Sequence, residues 1–282
     1  MRYKNFIIKE KIKEVAQTTI FRVLPLHRED LFLFDAGQHC KIINSKYSRK
    51  DGRYFSVASS PLNKNYIEFA IKKYGNWTQA ISNLQIGDSL KIAGPIGQFT
   101  WDKSLKNVVF VVGGLGIAPL MSMLRYAEDT GSSARIVLIY CNRTPEVVVF
   151  KDELERLRNK LPHFKVVHVF SNSSQSYSGG TYKGFIGEEV IKKETALSKK
   201  PTFFVIGPPI FMKSIDKILN KLQVHSSQIR KELLPQKAYF YMRIPFPFKA
   251  RIKPLGSIFN YNFSQHIFTK LPLLKNYRMQ SR

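Results

Sequence analysis

From Val108 to Leu124 the chain is uncharged and largely apolar, yet it contains Gly113, Gly114, Gly116 and Pro119. That combination restricts the fold more than any other feature of the sequence. The run falls short of the roughly 20 residues a membrane helix needs, and glycine and proline interrupt it. A buried strand, a glycine turn and a helix account for it better. Glycines let the backbone approach a pyrophosphate, and the helix amino terminus offers free N–H groups and a positive dipole end. Pro119 suits the first helical turn, where its missing donor is not needed.

The pattern continues beyond this turn. Strands are expected at Asn107–Val112, Arg135–Tyr140, Lys165–Phe170 and Thr202–Ile206. Helices are expected between and after them, near 119–128, 150–160, 187–193 and 208–222. Such alternation predicts βαβ units and a doubly wound parallel sheet. The first hundred residues read differently. Asn5–Glu14, Thr18–Leu26, His39–Ile43, Tyr54–Ala58, Tyr66–Lys72 and Ser89–Ala93 are short β-rich stretches. Turn signals separate them at Ala36-Gly37, Asp51-Gly52, Ser60-Pro61 and Gly87-Asp88. Many short strands predict an antiparallel barrel, which removes exposed edges. The expected organisation is a barrel over residues 1–102, an α/β domain over 103–234 and a separate tail over 235–282.

The tail has nine lysines and arginines, no acidic residue, many aromatics and five prolines. The prolines argue against a long helix. Two readings stand: a loosely ordered extension, or a basic-aromatic segment for a membrane surface or partner. Across the chain 45 basic residues face 20 acidic ones, a formal charge of +25. That charge fits a basic solvated surface or a field that steers an acidic partner. Zinc-finger spacing and RNP-type aromatic motifs are absent from the sequence, so nucleic acid is not the expected partner. Cys40 and Cys141 are too few for an iron–sulfur cluster or a Cys-only zinc site. The six histidines show no metal spacing, so His39 and His168 read as strand residues and no metal is expected. The opening residues lack a signal-peptide core, and with so few cysteines a reducing, cytoplasmic setting is expected.

Two further motifs lie in the barrel half. In Arg53-Tyr54-Phe55-Ser56 an arginine can clamp a pyrophosphate, an aromatic can stack on a flat ring and a hydroxyl can hydrogen-bond a ring nitrogen. On a strand, Arg53 and Phe55 face one side and Tyr54 and Ser56 the other. Gly75-Asn76-Trp77-Thr78 precedes a predicted short helix, where Thr78 could cap the helix or bind a phosphate. Each motif alone is ambiguous, fitting an ordinary strand or a plain cap as well. Their order along the chain narrows the choice.

Taken together, these residues resemble the ferredoxin–NADP reductase superfamily of flavoproteins over residues 5–234. The resemblance implies that the barrel binds FAD, less readily FMN, with Arg53 on the phosphates, Phe55 in the place of a tyrosine and Ser56 near flavin N5. Tyr54, Ile71, Lys72 and Trp77 join the implied flavin-binding set, and Gly75 and Thr78 match the family's second phosphate motif. Gly37-Gln38 and Gly94-Pro95 with Gly97 and Phe99 match family segments of the barrel. Gly113, Gly114, Gly116 and Pro119 match its nicotinamide-dinucleotide turn, with Arg143 near the adenosine ribose or its 2′-phosphate. Gly207 and Pro208 match the motif beside the nicotinamide, although Ile206 stands where a cysteine is usual and Phe211 replaces a methionine. Glu232 matches an acidic residue that approaches the flavin, with Leu234 where phenylalanine is frequent. Ser56 and Glu232 are therefore the catalytic candidates.

The implied function is transfer of electrons from NADH or NADPH through bound FAD to a one-electron carrier protein of the ferredoxin, flavodoxin, haem or iron–sulfur type. An acidic carrier suits the charge. The rivals are reduction of free flavin or ferric complexes, and a non-catalytic flavin-binding or assembly subunit.

Overall fold

A computed structural model describes residues 2–44, 52–172 and 180–232, the side chain of Arg28 excepted. Asp51, Leu234 and the 235–282 tail lie outside the described residues. The amino-terminal half holds β1 (Lys4–Lys13), β2 (Thr18–Pro25), β3 (His39–Asn44), β4 (Arg53–Ser56), β5 (Ile67–Lys72), the helix α1 (Gly75–Ser82) and β6 (Ser89–Ile96). The six strands pair antiparallel in the order β4-β3-β6-β1-β2-β5. Alternation along them sends Phe6, Ile8, Phe21, Val23, Ile42, Phe69, Ile71 and Ile92 into one apolar core. After β4 the backbone leaves its partner strand. The Ala58 N–H donates to the Glu68 carbonyl at 2.8 Å, which ties the two ends of the sheet together.

The second half runs β7 (Asn107–Gly113), α2 (Ile117–Asp129), β8 (Arg135–Asn142), α3 (Lys151–Lys160), β9 (Phe164–Phe170), β10 (Thr181–Lys183), α4 (Glu188–Thr195), β11 (Thr202–Ile206), α5 (Pro209–Lys221) and β12 (Ile229–Glu232). All neighbours are parallel, in the order β10-β9-β8-β7-β11-β12. β7 is buried on both faces, as its unbroken valine-rich sequence requires.

Two expectations need correction. The motif at Gly75–Thr78 does not precede a helix; it forms the first turn of α1, because the Thr78 hydroxyl closes back on Tyr74 by donating to its carbonyl and accepting from its N–H. The strand expected at Tyr54–Ala58 stops at Ser56, since Val57 and Ala58 turn their N–H groups to Gln38 and Glu68. The three-residue β10 was not legible as a strand in the sequence.

The sheets share an apolar core. Ile20, Ala36, Ala58, Ala70, Phe99 and Trp101 pack with residues of α2 and the face of the parallel sheet nearest them. Phe99 meets Phe204 edge-on at 5.2 Å, and Phe204 meets Phe110 at 5.4 Å. A chain of ion pairs runs alongside: Arg22 joins Glu10 and Glu68, Arg125 joins Glu68 and Glu153, and Arg156 joins Glu128. Glu68 is fully buried between the two arginines. Removing one partner of such a buried pair typically costs about 3–5 kcal/mol, because a charge is left uncompensated.

Candidate active site

The order of the parallel sheet reverses at β7, so the carboxyl ends of β7 and β11 lie side by side at a switch point, where open α/β sheets bind ligands. Val112 pairs with Ile206 in register, which sets the loops at Gly113 and Gly207 against each other. A Cβ on Gly207 would lie 2.5 Å from the Phe211 ring, and one on Gly113 would lie 3.1 Å from Pro208 and 3.3 Å from that ring. Phe211 therefore covers both glycines and fills the place of the expected methionine. Gly114 is different: its φ is +55° and open space surrounds its missing side chain. Pro119 sits in the first turn of α2, which follows directly. Ile206 is fully buried, its Cγ1 3.3 Å from where a Gly116 Cβ would stand. The departure from cysteine is thus absorbed by packing beneath the turn.

On the barrel, β4 divides as its alternation predicts. Phe55 turns inward and stacks on Trp77, centroids 5.7 Å apart and planes 20° from parallel. Tyr54 stays partly exposed on the opposite face, edge-on to His39 at 5.6 Å. Ser56 is buried on that same face, opposite His39 in register. Ile71 is buried in the barrel core and Lys72 ends β5 just before α1. Burial holds the Lys72 ammonium below its ordinary pKa. Among the described residues neither Lys72 nor Arg53 enters an ion pair. Two cations without an ion-pair partner among the described residues, one of them just before Gly75 at φ +65° opens α1, suit an anionic ligand such as a pyrophosphate. The Thr78 hydroxyl is already engaged with Tyr74, so the helix start offers backbone amides rather than that side chain.

The two halves meet at a cleft of about 370 Å³, lined by His39, Gly97–Phe99 and Arg230–Glu232. Glu232 ends β12, beside Ile206 in register, and is only 8% exposed. Its Oε1 lies 3.0 Å from His39 Nδ1, and its Oε2 is buried with no hydrogen-bond partner among the described residues. So His39 and Glu232 line one cleft, and Ser56 lies opposite His39 in register on the neighbouring strand. The sequence alone does not single out His39, because Ser56 and Glu232 come beside it only once the strands pair. Arg143 stands exposed just past β8, and Cys141 at the end of that strand pairs with Gly113, which puts Arg143 on the same edge of the sheet. His168 is a strand residue, stacked on Phe170 at 5.6 Å. Among the described residues no group of acids, histidines and cysteines could hold a metal. A second cleft of about 390 Å³, at the opposite end of the sheet between α4 and α5, gathers no comparable set of reactive groups.

Comparison with known proteins places this chain among oxidoreductases that bind both a flavin and a dinucleotide. The oxidoreductase FAD-binding domain matches residues 5–101 and the oxidoreductase NAD-binding domain matches residues 110–217. The chain belongs to the ferredoxin–NADP reductase superfamily. Within it, the chain is 28% identical over 225 residues to NADH-cytochrome b5 reductase 1 of Mortierella alpina, covering 78% of this chain and 75% of that one. It superposes on the cytochrome b5 reductase domain of Ulva prolifera nitrate reductase with a TM-score of 0.73 at 21% identity, over 82% of this chain and 97% of that one. The ferredoxin–NADP+ reductase of Plasmodium falciparum gives a TM-score of 0.68 at 21% identity, over 82% and 95%. Like other members of the superfamily, the chain is an NAD(P)H-dependent flavoprotein reductase that uses FAD.

Proposed function

We propose that this reductase passes electrons from NADH through FAD to a one-electron haem carrier of the cytochrome b5 kind. The observation that carries this reading is the His39–Glu232 contact, which ties the strand paired with Ser56 to the sheet edge where β7, β11 and β12 end side by side. Support for the acceptor comes from the relatives, which bear the name NADH-cytochrome b5 reductase. The charge of +25 supports an acidic surface on that carrier. The unpaired Cys40 and Cys141 suit work in a reducing compartment such as the cytoplasm.

Bound FAD supplies the exchange between two-electron and one-electron chemistry that side chains cannot perform. The chain's own residues bind, orient and exclude water. Arg53 and Lys72 would hold the flavin pyrophosphate, with Gly75 and the first amides of α1, where Thr78 fixes the turn. Phe55 and Trp77 would form an apolar wall with Ile71, and Tyr54 would close the exposed side. Ser56 would hydrogen-bond flavin N5, and the His39–Glu232 pair would keep a proton in reserve beside it. Gly113, Gly114, Gly116 and Pro119 would carry the dinucleotide pyrophosphate, Gly207 and Pro208 the nicotinamide, and Arg143 the adenosine ribose.

The direct test is anaerobic stopped-flow of the purified protein with NADH, NADPH and a cytochrome b5 at low and high salt. The expected result is faster reduction by NADH and haem reduction that slows several-fold as salt rises, since such fields fade within about 10 Å at 0.1 M ionic strength. Reduction of free flavin or ferric complexes with no transfer to haem would assign the chain to that other activity instead.

A further inference from the structure

A set of directional contacts grips the barrel just past Ser56, and none of it belongs to the chemistry above. Arg125 on α2 donates through Nη1 to the Ala58 carbonyl at 2.7 Å and to Glu68 Oε1 at 2.6 Å. The other side of the guanidinium donates through Nε and Nη2 to the two Glu153 oxygens of α3 at 2.7 and 2.6 Å. One turn earlier on the same helix, the Ser122 hydroxyl donates to the Ser59 carbonyl at 2.7 Å. Ser59 Oγ in turn accepts from the Glu68 N–H at 3.1 Å, and Arg22 holds the second Glu68 oxygen at 2.8 Å.

Ala58 and Ser59 follow Ser56 almost at once, while α2 begins where the turn at Gly113–Gly116 ends. The candidate flavin contact and the candidate dinucleotide turn are therefore joined by a short rigid path: Ser56, Ala58, Arg125 and about two turns of α2. Apolar surfaces such as Phe99 against Phe204 hold the halves together but tolerate sliding. A planar guanidinium that bonds on two sides does not, and lysine cannot reproduce the fork. A buried ion pair seldom adds net stability over an apolar pair of the same size, so its advantage here is direction. Hydride transfer demands that direction, because reacting atoms must come within roughly 3–3.5 Å and a displacement of about 1 Å can cost about a hundredfold in rate.

We propose that Arg125 is a positioning residue for electron entry: it sets the separation and register of the flavin-binding strand and the dinucleotide turn. The proposal rests on the reading that flavin and nicotinamide meet at this cleft. Its test uses the full-length flavin-loaded protein and the variant Arg125→Lys, which keeps the positive charge against Glu68 but cannot span to Glu153 as well. At saturating NADH, flavin bleaching is expected to slow at least tenfold. Flavin content and the KM for NADH are expected to stay within about twofold of wild type. The long-wavelength charge-transfer band formed when NAD+ is added to the photoreduced protein is expected to weaken, a readout of ring overlap that a mere brace would not move. Wild-type bleaching with an intact band, or a slowing that only follows lost flavin, would overturn the proposal. Should Arg125→Lys not fold, Ser122→Ala removes a single hydrogen bond of the same contact. It is expected to slow bleaching about threefold with a weaker band, and wild-type behaviour there overturns the proposal equally. If wild-type protein fails to bleach with NADH, the functional reading has failed rather than this inference.

Discussion

Gly114→Ala separates a ligand-binding turn from a merely tight one. Gly114 lies at φ +55° with nothing within 4 Å of an added Cβ, so alanine brings backbone strain but no collision. The left-handed conformation costs an L-residue roughly 1–2 kcal/mol. In a folded unit of this size each kcal/mol lowers the melting temperature by about 2–4 °C, so the variant remains folded. The methyl group then stands in the open space over which a dinucleotide pyrophosphate is proposed to pass. Displacing that contact is expected to weaken NADH binding about 10- to 100-fold, or about 1.4–2.7 kcal/mol. Gly116→Ala is the contrasting case. Its Cβ would sit 3.0 Å from the Ile206 carbonyl oxygen, a backbone atom of the neighbouring strand. Overpacking of that kind costs about 1–3 kcal/mol of stability before any ligand is involved. Thermal melts and the NADH dependence of anaerobic flavin bleaching measure both effects. Gly114→Ala protein that binds NADH as tightly as wild type would refute the placement of the dinucleotide on this turn.

Three further outcomes are expected. Glu232→Gln, which keeps the shape beside His39 but loses the charge, should slow turnover roughly a hundredfold if the pair serves proton transfer, with flavin content and NADH binding unchanged; steady-state kinetics and the visible spectrum check this. Burial lowers the His168 pKa, so the unfolded chain binds the proton first as pH falls through about 6.5. Stability is therefore complete above that value and declines on acidification towards the lower folded pKa, by up to about 1.4 kcal/mol per pH unit. His168→Phe should flatten that acid slope in urea melts taken from pH 7 to pH 5. The tail is proposed to touch a membrane surface, so the full chain should co-sediment with vesicles rich in anionic phosphatidylserine at low salt, and a chain ending at residue 234 should bind them less. Equal binding by both chains would remove the tail from that role.

The strand–glycine–helix turn and the alternation after it were legible because a buried parallel strand and its crossover helix leave unambiguous apolar patterns, as Val108–Leu124 does. Thr202–Ile206 was placed to the residue for the same reason. Boundaries failed where a side chain or backbone group chose a distant partner. Thr78 closes on Tyr74 and pulls the start of α1 back to Gly75, and Ala58 leaves its strand for Glu68. Arg53, Ser56 and the glycines at 113–116 could be nominated from local chemistry. The pairing of His39 with Glu232 could not, because the two stand 193 residues apart and meet only when β12 reaches the barrel. Arg125 was likewise invisible: on an amphipathic helix a lone arginine reads as solvated, and its buried partner Glu68 lies on another sheet.

The visible spectrum of the purified protein, recorded anaerobically before and after NADH and then after a cytochrome b5, tests the proposed electron path most directly. A stoichiometric flavin band is expected to bleach with NADH and to recover as the haem band of the reduced cytochrome grows. A colourless protein that refuses added FAD, or a flavin that neither NADH nor NADPH bleaches, would contradict that path.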